Sequence, residues 1–299
     1  MRISATIICK NEGAHIEDCL GSLDEVDQIV LCDTGSTDDT IALAKRRRPD
    51  LVLVHHPWHD HFADARNAAM ATADGDWCLI IDCDETIRPG TIAALRAAVA
   101  DHPDVMTLRF LCQAKGDPSA KHYMVRAHAR VPGIAWRGRI HESLTDDSLI
   151  VAPGCVLEYG YSTAHNADPD RALRLLLMDH AASPDDHRTL YYLSREYIYR
   201  LDYAAAIPLL ERRVSSIGYR AECADAWLYL ARCYWQTQQG DRARESCLRS
   251  LLLVPDCREA LELMATMSWP AESLIWTRYA ATAQNAGVLF VRSPALASD

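Results

Sequence analysis

The sequence predicts an α/β domain with a Rossmann-like, mostly parallel sheet, followed by an all-α domain of helical repeats. Three observations predict it. Short β-branched apolar runs alternate with helix-spaced segments up to about residue 150, strand signals cease after about residue 165, and two stretches beyond that point repeat the same residue types at the same offsets. With 299 residues, 49% apolar and 24% charged, the chain can bury one large core or two ordinary ones, which excludes wholesale disorder. The expected domains are 1–165 and 166–299.

The opening run, residues 3–9, is too short for a signal peptide. It ends in Lys10-Asn11-Glu12 with no small-residue cleavage site, so it reads as a buried first strand. Helical spacing over 14–23 leads to a second strand at 28–32, a helix over 40–47, a third strand at 51–55 and a central one at 77–81. Near-continuous apolar runs with helices between them indicate a parallel sheet covered on both faces. Residues 105–112 and 123–131 are further strands, and Pro132-Gly133 marks a turn. No G-x-G-x-x-G follows the first strand, so the dinucleotide fingerprint is missing.

From about residue 165 the pattern is helical, over 169–182, 186–201, 203–216, 221–236, 241–253 and 257–267. Leu190, Leu193, Ser194, Tyr197, Tyr203, Ala206 and Leu210 recur in type and offset as Trp227, Leu230, Ala231, Tyr234, Gly240, Ala243 and Cys247, with Pro255 closing the second set. This resembles the tetratricopeptide repeat, where a large residue, a Leu-small pair and a Tyr on one helix receive a small residue from the next. The competing reading is a plain helical bundle, and in either case these positions are core. Two repeats are fewer than usually stand alone, so the helices are expected to lean on the α/β domain.

Charge and cysteine usage narrow the function classes. Lys plus Arg number 31 against 41 Asp plus Glu, a formal net charge of -10, which counts against nucleic acid as a partner because phosphate binding needs concentrated cations. Arg46-Arg47-Arg48 follows a predicted helix, where cations are favourable for local reasons. No apolar run approaches the ~18 residues of a membrane span. The 11 cysteines lack C-x-x-C pairs or framework spacing, so they read as reduced core residues and the expected location is cytoplasmic.

The chemistry concentrates at Asp82-Cys83-Asp84-Glu85, which follows a strand expected at the sheet centre. Open α/β sheets bind ligands beyond the carboxyl ends of their strands. Asp82 and Asp84, two apart on an extended chain, share a face and can hold a hard divalent cation, Mn or Mg, whose other ligands are waters and substrate phosphates. A lone D-x-D is usually a solvated turn or cap, so its context decides. That context is Cys9-Lys10-Asn11-Glu12 after the first strand, Asp33-Thr34-Gly35-Ser36-Thr37-Asp38 after the second, and Ala65-Arg66-Asn67 one helix before the D-x-D.

In that order and at that spacing, these segments resemble the family 2 glycosyltransferases of GT-A fold. Asp33 in place of the commoner Asp-Asp start, Trp58 before Phe62-Ala63-Asp64-Ala65-Arg66-Asn67, Ile140-His141-Glu142 and the appended repeats are similar to a narrower branch. It comprises bacterial and phage enzymes with tetratricopeptide repeats, among them peptide glycosyltransferases of the bacteriocin S-glycosylating kind. The resemblance covers residues 1 to about 268.

The resemblance implies roles. Cys9, Asn11, Glu12 and Asp33 lie where the family contacts the nucleoside, and an Asp can accept from a uracil-type N–H, which favours a UDP-sugar donor. Arg66 and Arg139 suit the diphosphate, and Asp82 and Cys83 of the D-x-D are expected among the nucleotide-sugar contacts. Asp82 and Asp84 would carry the metal, with His141 and His165 as further ligands. Glu142 is the expected general base of an inverting transfer, against the alternative of a surface ion pair beside His141. A protein or peptide acceptor is expected, while a glycan, a small molecule or a modified nucleic-acid base stays open.

Other readings compete. The histidines of His55-His56-Pro57-Trp58-His59-Asp60-His61 invite zinc, but the branch has an aromatic-rich loop there without needing them. Residues 160–165 serve as a lid or as a linker. A sugar-phosphate nucleotidyltransferase would need a Gly-rich basic loop after Ile8, where Cys9-Lys10-Asn11-Glu12 stands. A non-catalytic repeat adaptor would be expected to have lost carboxylates, and Asp33, Asp82, Asp84 and Glu85 are all present.

Overall fold

The computed structural model describes residues 1–145, 149–160, 168–216 and 218–284. They form two compact units, one up to residue 171 and one from residue 172 onward. In the first unit the strands are β1 (Ile3–Cys9), β2 (Gln28–Asp33), β3 (Val52–His55), β4 (Trp77–Ile80), β5 (Glu85–Ile87), β6 (Thr107–Ala114), β7 (Asp117–Ala129), β8 (Trp136–Arg137), β9 (Ser143–Leu144) and β10 (Leu149–Tyr159). Its helices are α1 (Ile16–Gly21), α2 (Thr40–Arg47), α3 (Phe62–Thr72) and α4 (Thr91–Asp101).

Eight strands make one sheet in the order β3-β2-β1-β4-β7-β6-β10-β5, and β8 pairs with β9 separately. β3, β2, β1 and β4 are parallel neighbours, with Cys9 opposite Asp33 and Thr6 opposite Ile80. Both faces are buried, as the apolar runs require. Ile29 and Leu31 join Ile3, Ile7, Leu20, Leu79 and Leu95 on one face, and Val30 and Cys32 join Ala65, Ala69 and Cys78 of the other. The alanines let α3 lie close against the sheet.

The sheet is not parallel throughout. β7 runs antiparallel to both β4 and β6. Only Lys115 and Gly116 separate β6 from β7, and Gly116 has φ 82°; a two-residue turn joins antiparallel strands, whereas a parallel crossover needs a dozen residues or more. The sequence reading also omitted α4, β5 and β10.

The second unit contains α5 (Arg171–Ala182), whose first residue closes the first unit, then α6 (His187–Tyr199), α7 (Tyr203–Val214), α8 (Arg220–Gln236), α9 (Gly240–Leu253), α10 (Arg258–Thr266) and α11 (Pro270–Thr282). The repeat positions pack as their types demand. Ala206, Leu210, Leu230, Tyr234 and Ala243 share one core cluster, while Ala231 and Cys247 belong to the next. Asp186 and Asp202 cap α6 and α7, accepting from Thr189 N at 2.7 Å and Ala205 N at 3.0 Å. The helix expected over 257–267 is α10, and α11, which the sequence does not signal, pairs with it: Ala260, Leu261 and Met264 join Ala280 and Ala283 in the second cluster. All 11 cysteines are free and buried, and no described helix is long and apolar enough to cross a membrane.

Candidate active site

The carboxyl ends of β1 and β2 are tied together by their loops. Asn11, at φ 58°, donates its backbone N–H to Ser36 Oγ at 3.0 Å and accepts from Thr37 N through Oδ1 at 2.7 Å. Glu12 N donates to Thr40 Oγ1 at 2.7 Å, and Gly13 N to Asp38 Oδ2 at 3.1 Å. Asn11 and Glu12 therefore fix the loop to the amino end of α2. Beside it lies an open cleft of about 300 Å³ lined by Lys10, Asp33, Thr34, Gly35, His55, His56, Pro57 and Trp58.

Asp33 is buried at the floor of this cleft. Its Oδ1 accepts from Ser36 N at 2.9 Å and its Oδ2 lies 3.5 Å from His55 Nδ1. Burial works to raise the Asp33 pKa, but the Ser36 hydroxyl and N–H, the Gly35 N–H and His55 outweigh it and hold the carboxyl below its ordinary value. Asp33 thus remains an ionised acceptor. The neighbouring histidines have local partners: His61 caps α3 by accepting from Asp64 N at 3.2 Å, and His59 lies 2.8 Å from Asp64.

A second cluster lies beyond β4. Arg66, on α3, donates from Nη2 to Asp82 Oδ1 at 3.0 Å and from Nε to Glu142 Oε1, and stacks 5.4 Å from the Trp136 ring centroid. Asn67 docks β8 on α3, bonding Trp136 O at 3.0 Å and Trp136 N at 2.9 Å. Arg126, on β7, places Nη2 2.5 Å from Glu85 Oε1 and Nη1 3.5 Å from Asp82 Oδ2. Glu85 Oε2 in turn accepts from Asp82 N at 2.8 Å.

Burial would raise Asp82, yet Arg66 and Arg126 prevail and hold it at about 2. Burial likewise opposes both guanidiniums, and the facing carboxylates hold each above its usual value. Glu85, the most buried carboxylate of the group, is pushed upward by that burial against the pull of Arg126.

The remaining expected site residues differ in their surroundings. The Cys9 and Cys83 side chains are buried, each 4% exposed, with the Cys9 thiol 3.8 Å from Asp33 Oδ1 and the Cys83 thiol 3.5 Å from Ile8 O. Glu85 is enclosed behind Asp82 and serves the turn and Arg126. Arg139 Nη1 donates to Asp60 O at 3.2 Å, while its carbonyl accepts from Phe62 N at 2.9 Å, which anchors the start of α3. Glu142 is an ion pair, but an inner one with Arg66 rather than a surface pair beside His141. His141, at φ 51°, is exposed, and His165 lies outside the described residues. Among the described residues no three His, Cys, Asp or Glu side chains converge as a metal set.

The carboxylates nonetheless fit a hard cation in kind. Asp82 and Asp84 offer oxygen donors, and magnesium-type sites take one or two carboxylates and leave the remainder to phosphate and water. Sequence reasoning missed Arg126. A cation inside a long strand is ordinarily an exposed-face residue, and nothing local marks this one.

Comparisons with known proteins bear on the same residues. The glycosyl transferase family 2 model matches residues 4–156, just over half of the chain, and a tetratricopeptide repeat model matches 201–267. A TPR repeat-containing protein of Synechococcus elongatus is 35% identical over 153 residues, covering 50% of this chain and 36% of its own length. The SPbeta prophage-derived glycosyltransferase SunS of Bacillus subtilis is 36% identical over 83 residues, 27% of this chain and 20% of that protein. The lipopolysaccharide core biosynthesis glycosyltransferase LpsC of Rhizobium meliloti is 35% identical over 88 residues, 28% of this chain and 32% of that protein. This chain thus spans about a third or less of the length of these curated relatives. Among solved structures, residues 1–349 of S. aureus TarS are similar at TM-score 0.48 and 13% identity over 96% of this chain and 91% of that one, too distant to bear on function. On the family match, the chain belongs to glycosyl transferase family 2.

Proposed function

We propose that this chain transfers a sugar, with inversion, from a nucleoside diphosphate sugar to a protein or peptide acceptor, using a divalent metal ion. The observation that carries the reading is Arg66, which binds at once the D-x-D carboxylate Asp82 and the candidate base Glu142. In this reading the nucleoside lies in the cleft over Asp33, whose ionised carboxylate accepts from a uracil-type N–H, so UDP is favoured as the carrier. Arg66 meets the diphosphate, and Glu142 takes the acceptor proton as the acceptor attacks the anomeric carbon and the nucleoside diphosphate leaves. Asp82 and Asp84 would hold Mn or Mg, which when bound would supply charge neutralisation for the leaving group. Stacked helix pairs build surfaces suited to polypeptide, which supports a protein or peptide acceptor.

A thermal-shift panel of nucleotide sugars with and without Mn tests this reading. Stabilisation by one or more UDP-sugars, larger with Mn, is expected. No stabilisation by any nucleotide sugar would remove the enzyme reading and leave the non-catalytic adaptor.

A further inference from the structure

Arg126 owes its place to an irregularity in the sheet. Along β6 and β7, Leu108 faces Ala127 and Arg109 faces Val125, which leaves Arg126 as the extra residue of a β-bulge. Bulges re-aim a side chain and recur beside active sites. Here the re-aimed side chain is 8% exposed and its guanidinium reaches the buried Glu85 with one nitrogen and Asp82 Oδ2 with another. Glu85 also holds the Asp82 backbone N–H. The Glu85–Arg126 pair therefore grips Asp82 at both its main chain and its carboxylate.

A buried ion pair is weak support for stability, because desolvating two charges offsets their attraction. Its value here lies in fixing a third group. We infer that Arg126 is a positioning residue for the D-x-D carboxylate, setting the orientation of Asp82 in which the metal and diphosphate are bound. This deepens the proposed function and rests on it. Arg126 donates only, so it cannot ligate a cation itself; it acts through Asp82.

The test measures UDP affinity by calorimetry with and without Mn in the full chain. The variants are Arg126→Met, Arg126→Lys and the double variant Arg126→Met/Glu85→Gln, which removes both buried charges and so folds without an orphaned carboxylate. Wild-type affinity is expected to rise about tenfold or more with Mn, consistent with charge-assisted binding. Arg126→Met and the double variant should lose that gain while keeping metal-free affinity within about threefold, because the Asp33 cleft is untouched. Arg126→Lys should restore part of it. Full Mn enhancement in the double variant would overturn the role of Arg126 and leave the proposed function standing. A wild type that binds no UDP, or binds it without any Mn effect, would overturn both the metal-dependent reading and this one.

Discussion

Arg66 and Glu142 stand 76 positions apart in the chain and meet as an ion pair, with side chains only 11% and 12% exposed. The same guanidinium holds Asp82, so one side chain links the D-x-D to the candidate base. Breaking a buried pair from one side leaves an uncompensated charge, typically costing about 3–5 kcal/mol. Arg66→Ala strands Glu142 and leaves Asp82 to Arg126 alone; it should lower unfolding free energy by about 3 kcal/mol in urea titration, with a larger loss of UDP-sugar turnover. Arg66→Lys keeps the charge but not the fork, and should recover stability better than turnover. Equal recovery of both would mean the fork has no role in the reaction.

Glu142→Gln keeps the shape of the side chain and a carbonyl oxygen for Arg66 but cannot accept a proton. Transfer should fall by about 10²- to 10⁴-fold, the usual scale of general-base catalysis, with UDP-sugar affinity nearly unchanged. Single-turnover product formation at the wild-type rate would take Glu142 out of the mechanism.

Asn67 satisfies both the N–H and the C=O of Trp136 and so fixes β8, and with it the segment that carries Glu142, on α3. Asn67→Ala should cost about 1 kcal/mol, the lower end of the penalty for leaving polar groups unmet, because the Trp136 backbone is only part-buried. Hydrogen exchange at the Trp136 amide should accelerate in this variant; unaltered protection there would show that other contacts dock β8.

The helical unit carries a pH signature. Asp225 is buried and accepts from the Tyr191 hydroxyl, with Arg195, Arg232 and Glu259 nearby; burial first, against Tyr191 and the arginines, pushes its pKa up to about 6. A carboxyl whose folded value is raised contributes stability that is fully present below about pH 4 and is lost as pH rises through about 6. The difference between 3.8 and about 6 corresponds to about 3 kcal/mol. Urea titrations at pH 4 and 8 should show that fall in the wild type and much less of it in Asp225→Asn. A wild-type helical unit equally stable at both pH values would contradict the shift.

The local grammar of the fold was legible in the sequence. Apolar runs at strand length and helical spacing between them placed β1 to β4, α2 and the repeat helices, because these signals depend on neighbours a few residues away. The motif spacing set Asp33 at the end of its strand and Asp82 just beyond the end of another for the same reason. Where the sequence reading stopped, the missing quantity was a long-range one. The antiparallel β7 follows from a two-residue turn, yet its insertion between β4 and β6 depends on sheet order.

What the sequence determined by itself was the kind of protein: a family 2 domain with a D-x-D, joined to tetratricopeptide-like helices, each announced by residue type and interval. The tertiary structure alone decided who meets whom. It enclosed Cys9 and Cys83, withdrew Glu85 behind Asp82, joined Arg66 to Glu142 and brought in Arg126 from a bulge. Those pairings depend on strand register and burial, and a charged side chain removed from water must find its counter-charge wherever the fold supplies one.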